Sequence, residues 1–334
     1  MKNLKKVVFV SFFLLVVLIV AYLLVNLIPS KKSEEEVYIS VFIDKIDKIK
    51  VKKGEDEFFV SLKDGVSDID KKVLNKHQIE YLFGFFEKVV ASHIFEPKEK
   101  LEEYGFENPT AVFEVYGKNG DSIDNLKIGN KTSDGEGYYV MSDGARRDIG
   151  KICVVNVGRV EPILIDRKGY IDLKLIKPYE KTFGDDKKYN GDGVQKCKIN
   201  KKGVENSLEV VADEESGALV VKSPKDFKLD DKNKKMFDDA PKLLIAKEVL
   251  NLNPSDEELK KYGLKEPLMT VFYSIDDVKY KIHIGNVYKV EQIPSYEEEK
   301  EEIETIKNYY VKIDEFKPVF VVSENELPWL NIKF

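Results

Sequence analysis

The side chains able to do chemistry are few and scattered. His77, His93 and His283 stand singly, with no His-x-x-x-His pair for a metal, no Gly-x-Ser-x-Gly elbow for a nucleophile and no phosphate-binding loop. A nucleophile, a base and an orienting group would have to converge from unmarked positions. The chain therefore reads as non-catalytic: no catalytic, cofactor-binding or metal-ligating residue is assigned, and no cofactor is expected. Cys153 and Cys197 lie in β-like stretches with neither a CxxC partner nor an adjacent histidine. In an exported protein they could pair; small buried thiols are the alternative. Asp185, Asp186 and Asp192, set among glycines, suggest calcium, but their spacing is not that of an EF-hand loop and reads as a solvated turn.

Tyrosines and Gly-Asn pairs are the other conspicuous residues. Tyr104 and Tyr262 could line a ligand groove, but a tyrosine beside a helix-ending glycine reads as a core plug with its hydroxyl at the surface. Gly129-Asn130 and Gly285-Asn286 could offer backbone amides to an anion, although Gly-Asn after a strand reads as a turn. Tyr138-Tyr139 and Tyr309-Tyr310 could stack on sugars, but neighbours in a strand face opposite sides, so at most one of each pair could do so.

These residues occur twice because the chain repeats itself. Leu-Glu-Glu-Tyr-Gly-Phe-Glu-Asn-Pro at residues 101–109 returns as Leu-Lys-Lys-Tyr-Gly-Leu-Lys-Glu-Pro at 259–267. Downstream blocks keep their order: Ala111-Val112-Phe113 with Thr270-Val271-Phe272, Leu126-Lys127-Ile128-Gly129-Asn130 with Ile282-His283-Ile284-Gly285-Asn286, Tyr138-Tyr139-Val140 with Tyr309-Tyr310-Val311, and Ile152-Cys153-Val154-Val155 with Val319-Phe320-Val321-Val322. Two repeats follow, residues 38–165 and 166–334, the second carrying an acidic insertion at about 287–308. Glu297 to Glu302 within it read as an exposed charged helix or a partly disordered one.

Residues 7–28 form an almost unbroken apolar run of 22, long enough to cross a bilayer as a helix, between Lys2, Lys5 and Lys6 and a stop at Pro29. No small-x-small cleavage site or lipid-accepting cysteine follows, so residues 1–37 read as an uncleaved anchor and short linker that contact membrane lipid. Lys31 and Lys32 run straight into Glu34-Glu35-Glu36, which by the positive-inside rule favours a cytoplasmic N-terminus and an extracytoplasmic C-terminal part. Beyond residue 32 the chain holds 49 basic and 60 acidic residues, a net charge of −11. Such a body has no electrostatic reason to bind phosphate backbones, and nucleic acid is not an expected partner.

Within one repeat the pattern predicts particular elements. Residues 41–51 and 58–62 read as a hairpin about a Gly-Glu-Asp turn. Ile79, Leu82, Phe83, Phe86 and Val90 recur at helical spacing as one amphipathic stripe. Gly105 and Gly263 fit left-handed caps, Pro109 and Pro267 launch the next strand, and strands follow at 110–116, 125–128, 138–141 and 152–155. Ser323-Glu324-Asn325-Glu326 reads as a capping box opening a short last helix around Trp329. The fold class expected is α+β: two tandem repeats, each a curved, mostly antiparallel sheet packed with one main helix, preceded by one N-terminal transmembrane helix.

The set Leu-x-x-Tyr-Gly-Leu/Phe-x-x-Pro, apolar-x-Ile-Gly-Asn, Tyr-Tyr-Val and a four-residue apolar strand resembles domain of unknown function 4340, in two tandem copies. That family is similar to parts of the membrane-anchored auxiliary proteins that accompany gliding-motility-type ABC transporters. The resemblance implies an envelope protein beside an export system, with transporter subunits or other envelope proteins as partners, and carries no catalytic residues. The expected function is a non-catalytic accessory or interaction component of an ABC-type transport system. The alternative is an extracytoplasmic binding module for a small ligand or cell-wall saccharide held in the cleft between repeats.

Overall fold

The computed structural model describes residues 36–39, 43–143, 150–176, 194–213, 215–275, 278–294 and 303–334. The apolar span at 7–28, the cluster of Asp185, Asp186 and Asp192, and the acidic run at 297–302 lie outside the described residues. Among the described residues no helix is long and apolar enough to cross a membrane.

In chain order, strands β1 (Glu36–Ile39), β2 (Ile46–Lys53), β3 (Asp56–Ser61) and β4 (Gly65–Val66) precede helix α1 (Lys76–Glu87). Then come β5 (Val89–Ala91), β6 (His93–Phe95), β7 (Ala111–Gly117), β8 (Ser122–Lys131), β9 (Gly137–Ser142), β10 (Ile152–Asn156) and the short α2 (Val157–Val160). After these follow β11 (Val194–Lys201), β12 (Leu208–Ala212), β13 (Leu219–Ser223), α3 (Asp231–Leu243), β14 (Glu248–Asn251) and α4 (Asp256–Lys261). The chain ends with β15 (Met269–Ile275), β16 (Val278–Pro294), β17 (Ile303–Ile313), β18 (Val319–Ser323) and short 3-10 turns that carry Trp329.

The strands make two eight-stranded, mostly antiparallel sheets with the same strand order: β4-β3-β2-β7-β8-β9-β10-β6 and β13-β12-β11-β15-β16-β17-β18-β14. The correspondence holds residue by residue. Ala111 pairs with Ile128 as Met269 pairs with Ile284, and Ile128 pairs with Val140 as Ile284 pairs with Val311. This register corrects one expected equivalence. Ala111-Val112-Phe113 corresponds to Met269-Thr270-Val271, one residue earlier than the apolar letters suggest. The reason is the two-residue period of a strand: Ala111, Phe113 and Val115 are buried, as are Met269, Val271 and Tyr273, and a slip of one would turn them to the other face.

The duplication reaches the sheet edges. Val37 pairs with Val90 in the β1–β5 ribbon, and an isolated bridge joins Lys174 to Ile245 at the equivalent place. Val90 therefore belongs to a strand, not to the helix stripe. Helix α1 ends at Glu87, because the β-branched pair Val89-Val90 gains more from pairing than from another helical turn. Ile79, Leu82, Phe83 and Phe86 are buried as expected.

The described flanks of the insertion are strand. Residues 287–294 continue β16 and pair with β17 through Glu291 opposite Ile306, which makes a two-stranded extension. Val287 and Val290 on one flank and Thr305 and Ile306 on the other are β-branched, which favours strand there. The Ser323 side chain does cap a turn, accepting from Asn325 N–H, but the segment it opens is a short 3-10 turn.

The described residues fall into two compact units, those within 36–47 with 83–164 and those within 48–82 with 165–334. In the first, Phe86 packs edge-on to Phe113 at 5.8 Å between rings, over buried Leu126, Ile128 and Val140. In the second, Trp329 and Tyr273 are fully buried with ring centroids 5.8 Å apart, beside Phe237 of α3. Their polar atoms form a chain: Trp329 Nε1–H donates to the Tyr273 hydroxyl at 3.0 Å, which donates to the Phe237 carbonyl at 3.3 Å.

Candidate functional site

The repeated signature closes a turn onto a strand. Gly105 and Gly263 have φ of +82° and +72°. Phe106 N–H donates to the Leu101 carbonyl and Gly105 N–H to Glu102; Leu264 and Gly263 repeat this with Leu259 and Lys260, giving two Schellman-type caps. Each capped turn then meets the Gly-Asn pair of its own repeat. Asn130 N–H donates to the Tyr104 carbonyl and Asn286 N–H to the Tyr262 carbonyl, both at 2.8 Å. The asparagine side chains add bonds to the carbonyls of Glu103 at 3.4 Å and Lys261 at 3.2 Å. A Cβ on Gly129 or Gly285 would collide with the Tyr104 or Tyr262 carbonyl.

This geometry corrects the turn reading of the two Gly-Asn pairs. They lie inside β8 and β16, where the register shifts between Ile128 and Lys131 and between Ile284 and Val287. The irregularity brings the strand backbone against the capped turn, and the Asn130 and Asn286 amides are already bonded to protein.

The signature tyrosines are half-buried and pack on aromatics. The Tyr104 ring lies 5.1 Å from Tyr139, and Phe95 lies 5.8 Å from Tyr104. Tyr262 stacks on Tyr310 at 4.5 Å, with Tyr288 edge-on to Tyr310 at 5.3 Å. Tyr138 instead lies under Lys131 at 5.5 Å and Tyr309 is buried, so neighbouring tyrosines do diverge.

The second unit holds a polar groove of about 540 Å³ lined by Asp68, Ile69, Asp70, Arg167, Asn253 and Lys317. Arg167 is its best-anchored side chain. Its Nη2 donates to Asp56 Oδ1 at 2.9 Å and to the Glu57 carbonyl at 2.6 Å, its Nη1 donates to Asp68 Oδ2 at 3.4 Å, and its guanidinium lies 5.4 Å from the Phe58 ring centre. Phe58 in turn meets the edge of Tyr170 at 5.6 Å. Arg167 Nε and the Tyr170 hydroxyl are both buried with no hydrogen-bond partner among the described residues, and burial pushes the Tyr170 hydroxyl well above its ordinary pKa.

Local structure explains how these residues meet. Asp68 sits in a tight turn at φ +65°, the one left-handed non-glycine residue among those described. Asp70 caps the next 3-10 turn, its Oδ1 accepting from Lys72 N–H at 2.9 Å. Asn75 N–H donates to the Tyr170 carbonyl and Asp172 N–H to the Val73 carbonyl, both at 2.8 Å, which sets this loop beside the segment bearing Arg167. Lys168 Nζ donates to the Leu250 carbonyl of β14 at 2.7 Å, just before Asn253. Lys317 lies in the turn between β17 and β18.

None of the groove residues stood out in the sequence analysis. Arg167 carried the available signal, as one of four arginines among 54 basic residues. A planar fork kept where lysine otherwise prevails marks a position that needs several fixed bonds.

The histidines go to separate places. His77 is exposed, 3.6 Å from Glu80, and His93 lies on β6. His283 Nε2 lies 2.6 Å from Asp314 Oδ1, and its Nδ1 lies 3.5 Å from the Thr270 hydroxyl. The order Thr-His-Asp resembles a relay, but Thr270 and His283 are directly paired cross-strand neighbours, and Lys281 binds the same Asp314 at 3.0 Å. Burial raises the Asp314 pKa, while the bonds from Lys281 and His283 more than offset this and hold it below the usual carboxylate value. Cys153 and Cys197 are both buried and are not joined to each other, so they do not form the bridge left open above. Burial pushes the Cys197 thiol up to about 12, against a smaller opposing effect of Tyr273.

The fold defines a class of duplicated, antiparallel α+β proteins in which each repeat locks a capped turn onto a bulged strand. The chain belongs to the family described as Domain of unknown function (DUF4340), which matches residues 61–230, just over half of its 334 residues. The match is single and runs from β3 to Asp230, the cap of α3, which corrects the expectation of one family copy per repeat. The repeats share strand order and a short signature but fill equivalent core positions differently, Ala111, Phe113 and Val115 against Met269, Val271 and Tyr273. No curated protein and no solved structure matches the chain.

Proposed function

We propose that the protein is a non-catalytic, membrane-anchored envelope protein whose extracytoplasmic tandem repeats act by docking other proteins, as an accessory component of an ABC-type transport system. The observation that carries the reading is the use made of the duplicated residues. Tyr104, Gly105, Gly129 and Asn130, and their equivalents Tyr262, Gly263, Gly285 and Asn286, hold turn to strand in both repeats, so what the duplication preserved is a rigid frame. The 22-residue apolar run behind Lys2, Lys5 and Lys6 supports the anchor and its orientation. Crosslinking in intact cells, followed by capture in mild detergent and mass spectrometry, tests it. Transporter subunits are expected with the bait; recovery of the bait alone sinks the reading.

The polar groove favours a second reading, an extracytoplasmic module that binds a small polar ligand. A ligand that prefers the native state raises the thermal midpoint, and no shift across a panel of sugars, ions and peptides would count against it.

A further inference from the structure

We infer that the groove at Asp68, Asp70, Arg167, Asn253 and Lys317 binds a small zwitterion: an amino acid or short peptide with a free ammonium and a free carboxylate. This rests on the second, ligand-binding reading and gives it a chemistry. A volume of about 540 Å³ suits a ligand of that size, and a lining with one apolar residue, Ile69, suits a hydrophilic one.

The charges of the lining do not cancel locally. Arg167 is committed to Asp56, to the Glu57 carbonyl and to Asp68. Lys317, by contrast, has no ion pair or hydrogen bond from its side chain among the described residues, and the Asn253 carboxamide is likewise unengaged. Asp70 spends one carboxylate oxygen on the Lys72 N–H and keeps the other. The groove therefore offers an uncommitted cation with an amide donor, and an uncommitted carboxylate oxygen. A ligand with one charge would satisfy one of these and set a like charge against the other. A neutral sugar would satisfy neither charge and would find no aromatic ring in the lining. A zwitterion answers both.

Two features mark the groove as more than a crease in the surface. Asp68 holds a left-handed conformation unfavourable for a non-glycine residue, at φ +65°, and such outliers collect at ligand sites. The arginine that grips it is sandwiched between that turn and Phe58 with its Nε buried and unbonded among the described residues. The frame is thus set before any ligand arrives, which lowers the cost of binding.

The test is isothermal titration calorimetry on the full-length chain in mild detergent. Probes are alanyl-alanine, its N-acetyl form, its C-terminal amide, an equimolar mixture of the standard amino acids, succinate and N-acetylglucosamine. Alanyl-alanine or the amino acids should bind, and each blocked form should bind roughly tenfold more weakly or worse, since each has lost a charge-assisted bond. Lys317→Met should abolish the preference for the free carboxylate. Asp70→Asn, which keeps the capping oxygen, should abolish the preference for the free ammonium. Unchanged circular dichroism of both variants would show that the frame persists. Binding that neither substitution alters, or that ignores both blocking groups, overturns the proposal. If succinate or N-acetylglucosamine binds instead, and Lys317→Met weakens it, the ligand-binding reading survives and the zwitterion does not. If none of these probes binds, both fall.

Discussion

The backbone N–H of Asn286 donates to the carbonyl oxygen of Tyr262 at 2.8 Å, and Asn130 repeats the bond to Tyr104 at the same length. The approach is possible only because Gly285 and Gly129 have no side chain, since a Cβ at either would collide with that carbonyl. Gly285→Ala or Gly129→Ala should therefore cost about 1–3 kcal/mol as the turn is pushed off the strand. Gly54→Ala is the contrast: it meets open space but sits at a positive φ, which Gly129 and Gly285 do not, so it should cost only the left-handed strain, about 1–2 kcal/mol. Urea midpoints of the variants check this. A loss at Gly285 no larger than that for an exposed glycine in ordinary backbone would refute the lock.

Gly84 should respond in the opposite direction. It lies exposed within α1, and a Cβ there meets nothing within 4 Å. Gly84→Ala should stabilise the protein by about 0.5–1 kcal/mol through helix propensity alone. A rise in the thermal midpoint is the readout; a fall would mean that the helix face is covered.

Most of the framework was legible because strand and helix periods are local. The hairpin at β2–β3, the caps at Gly105 and Gly263 and the order of strands after them all follow from residues close together in sequence. The equivalence of Met269 with Ala111 was not, because Val271-Phe272 resembles Val112-Phe113 by letter and only the pairing partner across the sheet fixes the face. The strand flanks of the insertion were hidden by the acidic run they enclose. The groove was not legible at all. Asp68, Arg167, Asn253 and Lys317 come from four separated stretches, each ordinary in its own context.

Cys197 should be inert in the native state. Its thiol is buried and pushed up to about 12, so almost no thiolate exists at neutral pH. Reaction with a coloured disulfide reagent should appear only on unfolding, at the rate of the global transition. Fast native-state labelling at Cys197, mapped by mass spectrometry, would contradict this burial.

Asp314 makes stability depend on acid in a definite direction. Its pKa is lowered in the folded protein, because Lys281 and His283 outweigh burial, so the unfolded chain binds the proton more readily. The contribution is complete above the unfolded carboxylate value of about 4 and is lost as pH falls from there through the lowered folded value. Because Asp314 is partly exposed, the effect should be small. Asp314→Asn should flatten the fall in urea midpoint below about pH 4 while lowering the midpoint near neutrality. A wild-type curve and a variant curve with equal acid slopes would rule this cluster out as a contributor.

Tyr273 joins two buried polar groups through its hydroxyl. It accepts from Trp329 Nε1–H and donates to the Phe237 carbonyl, and its ring fills the space between β15 and α3. Tyr273→Phe keeps that volume and removes both bonds, so the loss isolates the hydrogen-bond chain from packing. Leaving the buried Trp329 N–H without the hydroxyl it donates to should cost about 1–3 kcal/mol. Trp329 is the sole tryptophan of the chain, which lets its fluorescence follow the same site. Its native emission should stay blue-shifted in the variant, because the ring remains buried, while the urea midpoint falls. A red-shifted native spectrum would mean that water has entered to satisfy the orphaned groups, and the stability loss should then be correspondingly smaller.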